Sequence, residues 1–281
     1  MRCTVIGKPV AHSLSPLIHH LGYEFLGIAD QFYFDTQELS ASDLDSWIQE
    51  VRERDQRSSD VSIVRGISCT MPHKQTVMPL LDQVDPVAEE IGAVNTIVNQ
   101  AGALIGYNTD WEGASRAIWR CLQRQTQRQG APKASLVSFA DPFLTGKRVA
   151  ILGAGGASRA LIYGALLKGA RVKVFNRNLK RAQELQRDFA IECADLNSLS
   201  EVSTFDIIIN ATSVGMGDDA GQSLLLEEWL SSTQVIFETI YEPQETVTIK
   251  RARACGADVI LGIEMLLEQA YVQFELYTGY Q

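Results

Sequence analysis

Short apolar runs alternate with longer stretches of helical spacing along most of the chain. Residues 3–6 form the first strand-like run, followed by a Gly-Lys-Pro turn. A helix is predicted over 16–27, with Ser15 as its N-cap and Pro16 as its first residue. A second strand is read at 32–34. Leu44, Trp47, Ile48 and Val51 share one face of a helix predicted over 42–54. Residues 63–70 read as a strand that Met71-Pro72 breaks, with a helix expected from about Lys74. Residues 93–98 and 104–107 resemble a hairpin closed near Gln100-Ala101-Gly102, and a further helix starts around Asp110.

Residues 123–145 lose this periodicity. They carry Gln, Arg, Gly and two prolines, and read as a connector. Beyond them, strands predicted at 148–152, 171–175, 206–210 and 234–237 interleave with helices at 157–168 and 180–189. That is the alternation of βαβ units on a parallel sheet. An amphipathic helix over 265–277 closes the chain.

At 281 residues the chain is long enough for two domains with separate cores. Its net charge of −9, without any basic run, argues against nucleic-acid partners and acidic membranes. No apolar stretch reaches bilayer-spanning length. The first residues enter a strand directly, without a signal-peptide core, so a cytoplasmic location is expected. The five cysteines are dispersed with no CxxC pair, which suits reduced thiols and gives no reason to expect a metal site.

The most specific local pattern is Gly153-Ala154-Gly155-Gly156-Ala157-Ser158 between an apolar strand and a helix. Gly153 would allow a tight turn, and Gly155 would let a pyrophosphate approach the backbone at a helix N-terminus. Ser158 stands where a third glycine is usual and is still small. About 20 residues further on, NAD-binding chains of this type place a carboxylate for the ribose hydroxyls. This chain has Asn176-Arg177-Asn178-Leu179-Lys180-Arg181. A guanidinium there can bind a 2′-phosphate that a carboxylate would repel, so NADP is the expected cofactor. Lys180 and Arg181 could equally solvate a helix face.

Other polar residues gather at strand ends: Ser13 and Ser15, Thr70 and Lys74, Asn95, and Asp110. Loops at sheet edges are where a fold presents chemistry. With Asn210-Ala-Thr212-Ser-Val-Gly-Met216, Tyr241-Glu-Pro and Gly262-Ile-Glu-Met-Leu-Leu-Glu-Gln269, these blocks resemble the shikimate dehydrogenase family in its own order, over nearly the whole chain. The resemblance implies an α/β fold: an N-terminal α/β substrate domain (1–115, completed by a C-terminal helix, 259–281) and a Rossmann NADP-binding domain (145–258). A connecting helix and loop (116–144) would link them, with a cleft between the domains.

The resemblance also implies the reaction, an NADP-dependent interconversion of 3-dehydroshikimate and shikimate, a step of aromatic amino acid biosynthesis. Lys74 and Asp110 would be the proton-transfer pair. Ser13 and Ser15, with Tyr241, would bind the substrate carboxylate, and Thr70, Asn95 and Gln269 the ring hydroxyls. The glycine loop, Asn176, Arg177, Lys180, Arg181, Thr212, Met216 and Gly262 would meet the cofactor. Met216 and Met265 could equally be core. His12 and His73 are expected to hydrogen-bond locally. A monomer or homodimer is expected.

Ser68-Cys69, Glu238 and Glu264 depart from the commonest form of the motifs. The first and last resemble plant-type versions fused to a dehydroquinate dehydratase, a module for which 281 residues leave no room. Glu264 raises the question of how the nicotinamide end is packed. Two rival readings are a quinate or dual-specificity dehydrogenase, which Ser13 weighs slightly against, and a non-catalytic NADP-sensing regulator, which would have no use for a proton-transfer pair.

Overall fold

Short buried strands edged by helices make up both halves of the computed structural model, which describes residues 1–57, 64–128, 130 and 137–280. Ile63, and residues 129 and 131–136 of the expected connector, lie outside these. The contacts divide the chain into two units, Met1–Thr109 with Gln269–Gln281, and Asp110–Glu268.

The first unit contains β1 (Arg2–Gly7), α1 (Ser15–Phe25), β2 (Tyr33–Glu38), α2 (Leu44–Arg57), β3 (Val64–Cys69), β4 (Gln83–Val84), α3 (Pro86–Ile91), β5 (Thr96–Gln100) and β6 (Ala103–Tyr107). Its six-stranded sheet has the order β2-β1-β3-β5-β6-β4. β1 runs parallel to β2 and β3, whereas β5 is antiparallel to β3 and β6. The expected hairpin is present. Gln100 pairs with Ala103, and the two residues between them, Ala101 and Gly102, both have positive φ, 53° and 92°. Leu44, Ile48 and Val51 of α2 cover one face of the sheet with Trp47 half-buried beside them, as their spacing predicts.

Three local expectations change. Ser15 is the first helical residue of α1, and the cap position is Leu14, whose side chain cannot accept a bond. The Ser15 N–H donates instead to Ser13 Oγ at 3.3 Å. No α-helix starts at Lys74. One turn closes from Val77 N–H to His73 O, and a 3-10 helix, Met78–Leu80, follows. Pro79 has no N–H to extend the bonding. The helix α3 was not foreseen, although Asp85 caps it through the Val87 N–H and Gly92 ends it at φ 70°.

The second unit begins with α4 (Asp110–Arg128), so residues 123–128 are helical rather than part of a connector. It continues with β7 (Arg148–Leu152), α5 (Gly156–Leu167), β8 (Arg171–Phe175), α6 (Leu179–Phe189), β9 (Glu192–Ala194), β10 (Ile207–Asn210), β11 (Val235–Glu238), α7 (Val247–Ala254), β12 (Asp258–Ile260) and the start of α8 (Gly262–Thr278). The strands are all parallel in the order β12-β11-β10-β7-β8-β9. Val149, Ile151, Ile207 and Ile209 pack with Ile118, Leu161 and Ala165 on one face; Ala150, Leu152 and Ile208 pack with Val202 and Ala252 on the other. Burial on both faces is why these strands read as unbroken apolar runs.

Candidate functional site

In the first unit Asn95, buried just before β5, centres a hydrogen-bonded group with Thr96, Thr109 and Gln269. Its Nδ2 donates to Thr109 Oγ1 at 2.9 Å and to Gln269 Oε1 at 3.4 Å. Its Oδ1 accepts from the Thr109 N–H and the Thr96 hydroxyl, both at 2.8 Å. Lys74 is tied to this group by the main chain, since the Val94 N–H donates to Lys74 O at 2.7 Å. Asp110, buried at the start of α4, directly follows Thr109.

Thr70 sits where β1 and β3 both end. Its N–H donates to Ile6 O at 2.9 Å, and the Lys8 N–H donates to Met71 O at 2.9 Å. Gly7 has to be glycine here, because a Cβ would lie 2.3 Å from Thr70 Cγ2. The buried His73 donates from Nε2 to Leu39 O at 2.8 Å, which fixes the residue before Lys74 and matches the expected local hydrogen-bonding role. Ser13 and Ser15 stand at the start of α1, half-buried and buried respectively.

Ser68 has its own explanation. Its hydroxyl donates to Gln273 Oε1 and meets Tyr277 Oη, both at 3.0 Å, while Gln273 Nε2 donates to Thr96 Oγ1 at 2.8 Å. A serine and two residues of α8 thus support the strand on which Asn95 is mounted. Sequence reasoning missed Gln273 and Tyr277. The one available signal was Gln273 lying a helical turn beyond Gln269, on the same face.

In the second unit the residues expected to meet a dinucleotide all follow the carboxyl ends of parallel strands. Residues 153–157 follow β7, 176–181 follow β8, 212–216 follow β10 and Gly262 follows β12; Tyr241, expected at the substrate carboxylate, follows β11. The connection order reverses between the adjacent β7 and β10, which is where doubly wound sheets open a ligand crevice. Gly153 has φ 114°, and a Cβ on it would lie 2.8 Å from Ala211 O. Gly155, the N-cap of α5, is exposed, and a Cβ there would meet nothing within 4 Å. A helix N-terminus with open space before it suits a phosphate. Ser158 is fully buried and accepts the Gly155 N–H at 3.3 Å, so it tightens the turn as the third glycine would.

Asn178 caps α6 by accepting from the N–H groups of Lys180 and Arg181, and Asn176 Nδ2 donates to Asn178 O at 2.8 Å. Arg177, Lys180 and Arg181 are exposed and form no ion pair among the described residues. Met216 is 37% exposed, which excludes the core reading for it, whereas Met265 is 8% exposed and belongs to the core. Gly262 lies against the chain leaving β11, where a Cβ would come 2.5 Å from both Thr239 O and Ile240 O. Glu264 turns to Arg124 of α4, at 3.1 Å.

Glu238 is fully buried and bonded to Asn210, Thr246 and the Ile240 N–H. Burial, opposed by these bonds, pushes its carboxyl up to about 7. Sequence reasoning marked Glu238 only as a departure from the commoner Asp.

Two family models match the chain, the shikimate dehydrogenase substrate binding domain over residues 5–97 and shikimate / quinate 5-dehydrogenase over residues 137–216. The bifunctional 3-dehydroquinate dehydratase/shikimate dehydrogenase of Arabidopsis thaliana is 36% identical over 98% of the chain, which spans 43% of that protein. The shikimate dehydrogenase (NADP(+)) of Caldanaerobacter subterraneus is 35% identical over 98% of the chain, which spans 90% of that protein. Identity therefore does not separate a plant from a bacterial type. The crystal structure of shikimate 5-dehydrogenase from Thermus thermophilus in complex with NADP(H) and shikimate superposes with a TM-score of 0.80 at 32% identity, covering 100% of this chain and 94% of that one. Matched from end to end in sequence and in fold, the chain belongs to the shikimate/quinate dehydrogenase family.

Proposed function

We propose that this chain is an NADP-dependent shikimate dehydrogenase, reducing the ring ketone of 3-dehydroshikimate to the alcohol of shikimate and running in reverse. The observation that carries the cofactor reading is the edge after β8. It offers an exposed guanidinium at Arg177 beside a capped helix and no carboxylate. The open Gly155 turn supports the same reading. Gly153, Ala154, Gly155, Gly156 and Ala157 would hold the pyrophosphate. Asn176, Arg177, Lys180 and Arg181 would hold the adenosine end with its 2′-phosphate, and Thr212, Met216 and Gly262 the nicotinamide end.

When bound, NADPH supplies hydride to the carbonyl carbon. The residues of the chain manage charge and protons. Lys74 meets the negative charge that grows on the carbonyl oxygen and gives it a proton. Asp110 exchanges protons with that centre. The main-chain bond from the Val94 N–H to Lys74 O, next to Asn95, supports placing Lys74 at the substrate. Ser13, Ser15 and Tyr241 donate hydroxyls to the substrate carboxylate, and Thr70, Asn95 and Gln269 bind the ring hydroxyls.

No helix of the described residues is long and apolar enough to cross a membrane. The dispersed cysteines, none in a disulfide, support a reducing, cytoplasmic-type setting. The deciding assay measures turnover of shikimate and of quinate with NADP and with NAD. Shikimate with NADP is expected to be fastest. Preference for quinate would reassign the substrate, and no turnover with any combination would favour an NADP-sensing role.

A further inference from the structure

Glu238 and Asn210 lie side by side at the carboxyl ends of β11 and β10. Asn210 Nδ2 donates to both oxygens of Glu238, at 2.9 and 3.1 Å, and to Val214 O at 3.1 Å. That leaves Asn210 Oδ1 to accept from the Thr212 N–H at 3.1 Å and the Thr212 hydroxyl at 2.7 Å. Thr212 Oγ1 in turn accepts from the Val214 N–H at 3.1 Å. A side-chain amide has one donor end and one acceptor end, so whatever takes its NH₂ decides which end faces the loop.

We infer that Glu238 is a positioning residue for cofactor binding: acting through Asn210, it sets the shape of residues 211–216, which carry Thr212 and Met216, without itself touching the dinucleotide. The inference rests on reading that edge as the NADP site.

The arrangement depends on the charge of Glu238. As a carboxylate it accepts from Asn210, from the Thr246 hydroxyl at 3.0 Å and from the Ile240 N–H at 3.3 Å. As an acid it has to place an O–H among groups that now act as donors, and the amide loses its hold. Burial without a charged partner puts this change near neutrality, at about 7. Among the described residues the neighbouring elements form no ion pair with Glu238. From α7, Lys250 is exposed, Arg251 donates to Leu225 O and Arg253 pairs with Glu245; from the first turn of α8, Glu264 pairs with Arg124. The loop is therefore held above pH 7 and loosened below it.

NADPH fluorescence gives the test, as Kd on the full chain between about pH 6 and about pH 8.5, with thermal melting run in parallel. For the unaltered chain, Kd is expected to rise by up to about tenfold per pH unit as the pH falls through neutrality. Glu238→Gln should bind weakly throughout and retain only the shallow dependence of the cofactor's own 2′-phosphate, which titrates near pH ~6. Glu238→Asp should recover the pH dependence. Should Glu238→Gln fail to fold, Thr246→Val removes one donor from the carboxylate and should move the midpoint upward. An unmoved midpoint, or equal Kd values for the unaltered chain and Glu238→Gln at every pH, overturns the inference while NADPH still binds. Absence of NADPH binding by the unaltered chain overturns the cofactor reading and the inference with it.

Discussion

Glu264 Oε2 accepts from both terminal nitrogens of Arg124, at 3.1 Å each, and Glu264 Oε1 accepts the Leu261 N–H at 3.1 Å. The residue that replaces a glycine of the family motif thus caps α8 and holds it to α4. Arg120–Glu268, at 2.7 Å, extends the same contact by a turn, and Arg128–Asp258, also at 2.7 Å, ties α4 to β12. A partly exposed pair that also caps a helix contributes about 1 kcal/mol. Glu264→Ala should lower stability by that much and leave NADPH affinity unchanged. Weaker NADPH binding with an unchanged melting temperature would instead assign the carboxylate to the cofactor.

His19 lies fully buried in α1, stacked 4.4 Å from Phe34, with no hydrogen-bond partner for either ring nitrogen among the described residues. Burial, only partly opposed by the nearby Gln273 amide, pushes the imidazole down to about 3. The folded chain keeps the ring neutral while the unfolded chain protonates it below about pH 6.5. Stability is therefore fully present above that value and is lost as the pH falls towards 3, by up to about 1.4 kcal/mol per unit. Urea unfolding near neutrality and about two units lower should show the loss, and His19→Phe should remove about 2 kcal/mol of it. An identical pH slope in both proteins would mean that His19 takes up its proton in the folded state.

The strand at 148–152 was legible because both of its faces are buried and every residue after Arg148 is apolar. β9 and β12 were not; each has three residues and carries a charge, Glu192 or Asp258, so neither shows a period. Gly153 and Arg177 could be proposed from spacing, since a bound dinucleotide would call for such residues within one βαβ unit. Lys74 could not be told from any other lysine, and only the resemblance singled it out. The supporting pairs Ser68–Gln273 and Asn210–Glu238 stayed invisible for another reason. Their partners are 205 and 28 residues apart, and a polar residue at an apolar position announces no partner.

Lys74→Ala tests the proton-transfer reading directly. General-acid assistance contributes about 10²–10⁴ in rate, and kcat should fall by that factor. Since the Lys74 contact with Val94 is made by its backbone carbonyl, the fold and the melting temperature should persist. Near-normal turnover would remove Lys74 from the chemistry.

Arg177→Asp should separate the two dinucleotides. A charge-assisted bond to the 2′-phosphate contributes about 1.5–3 kcal/mol, roughly ten- to a hundredfold in Kd, and NADH has no such group. NADPH affinity should drop by at least that factor while NADH affinity holds or improves. Equal losses for both would place the guanidinium elsewhere on the cofactor.

The two glycines of the β7 turn should fail in different ways. Gly153→Ala forces φ 114° on a residue with a Cβ and sets that Cβ 2.8 Å from Ala211 O. Strain of this kind costs about 1–3 kcal/mol, and the melting temperature should fall even without ligand. Gly155→Ala meets no atom within 4 Å and has φ −102°, so its cost is confined to the poorer helix cap, at most about 1 kcal/mol. Its Cβ fills the space in which a pyrophosphate would approach the backbone. This variant should therefore melt almost normally yet bind NADPH far more weakly. If Gly155→Ala bound NADPH as tightly as the unaltered chain, the phosphate would have to lie away from the α5 N-terminus.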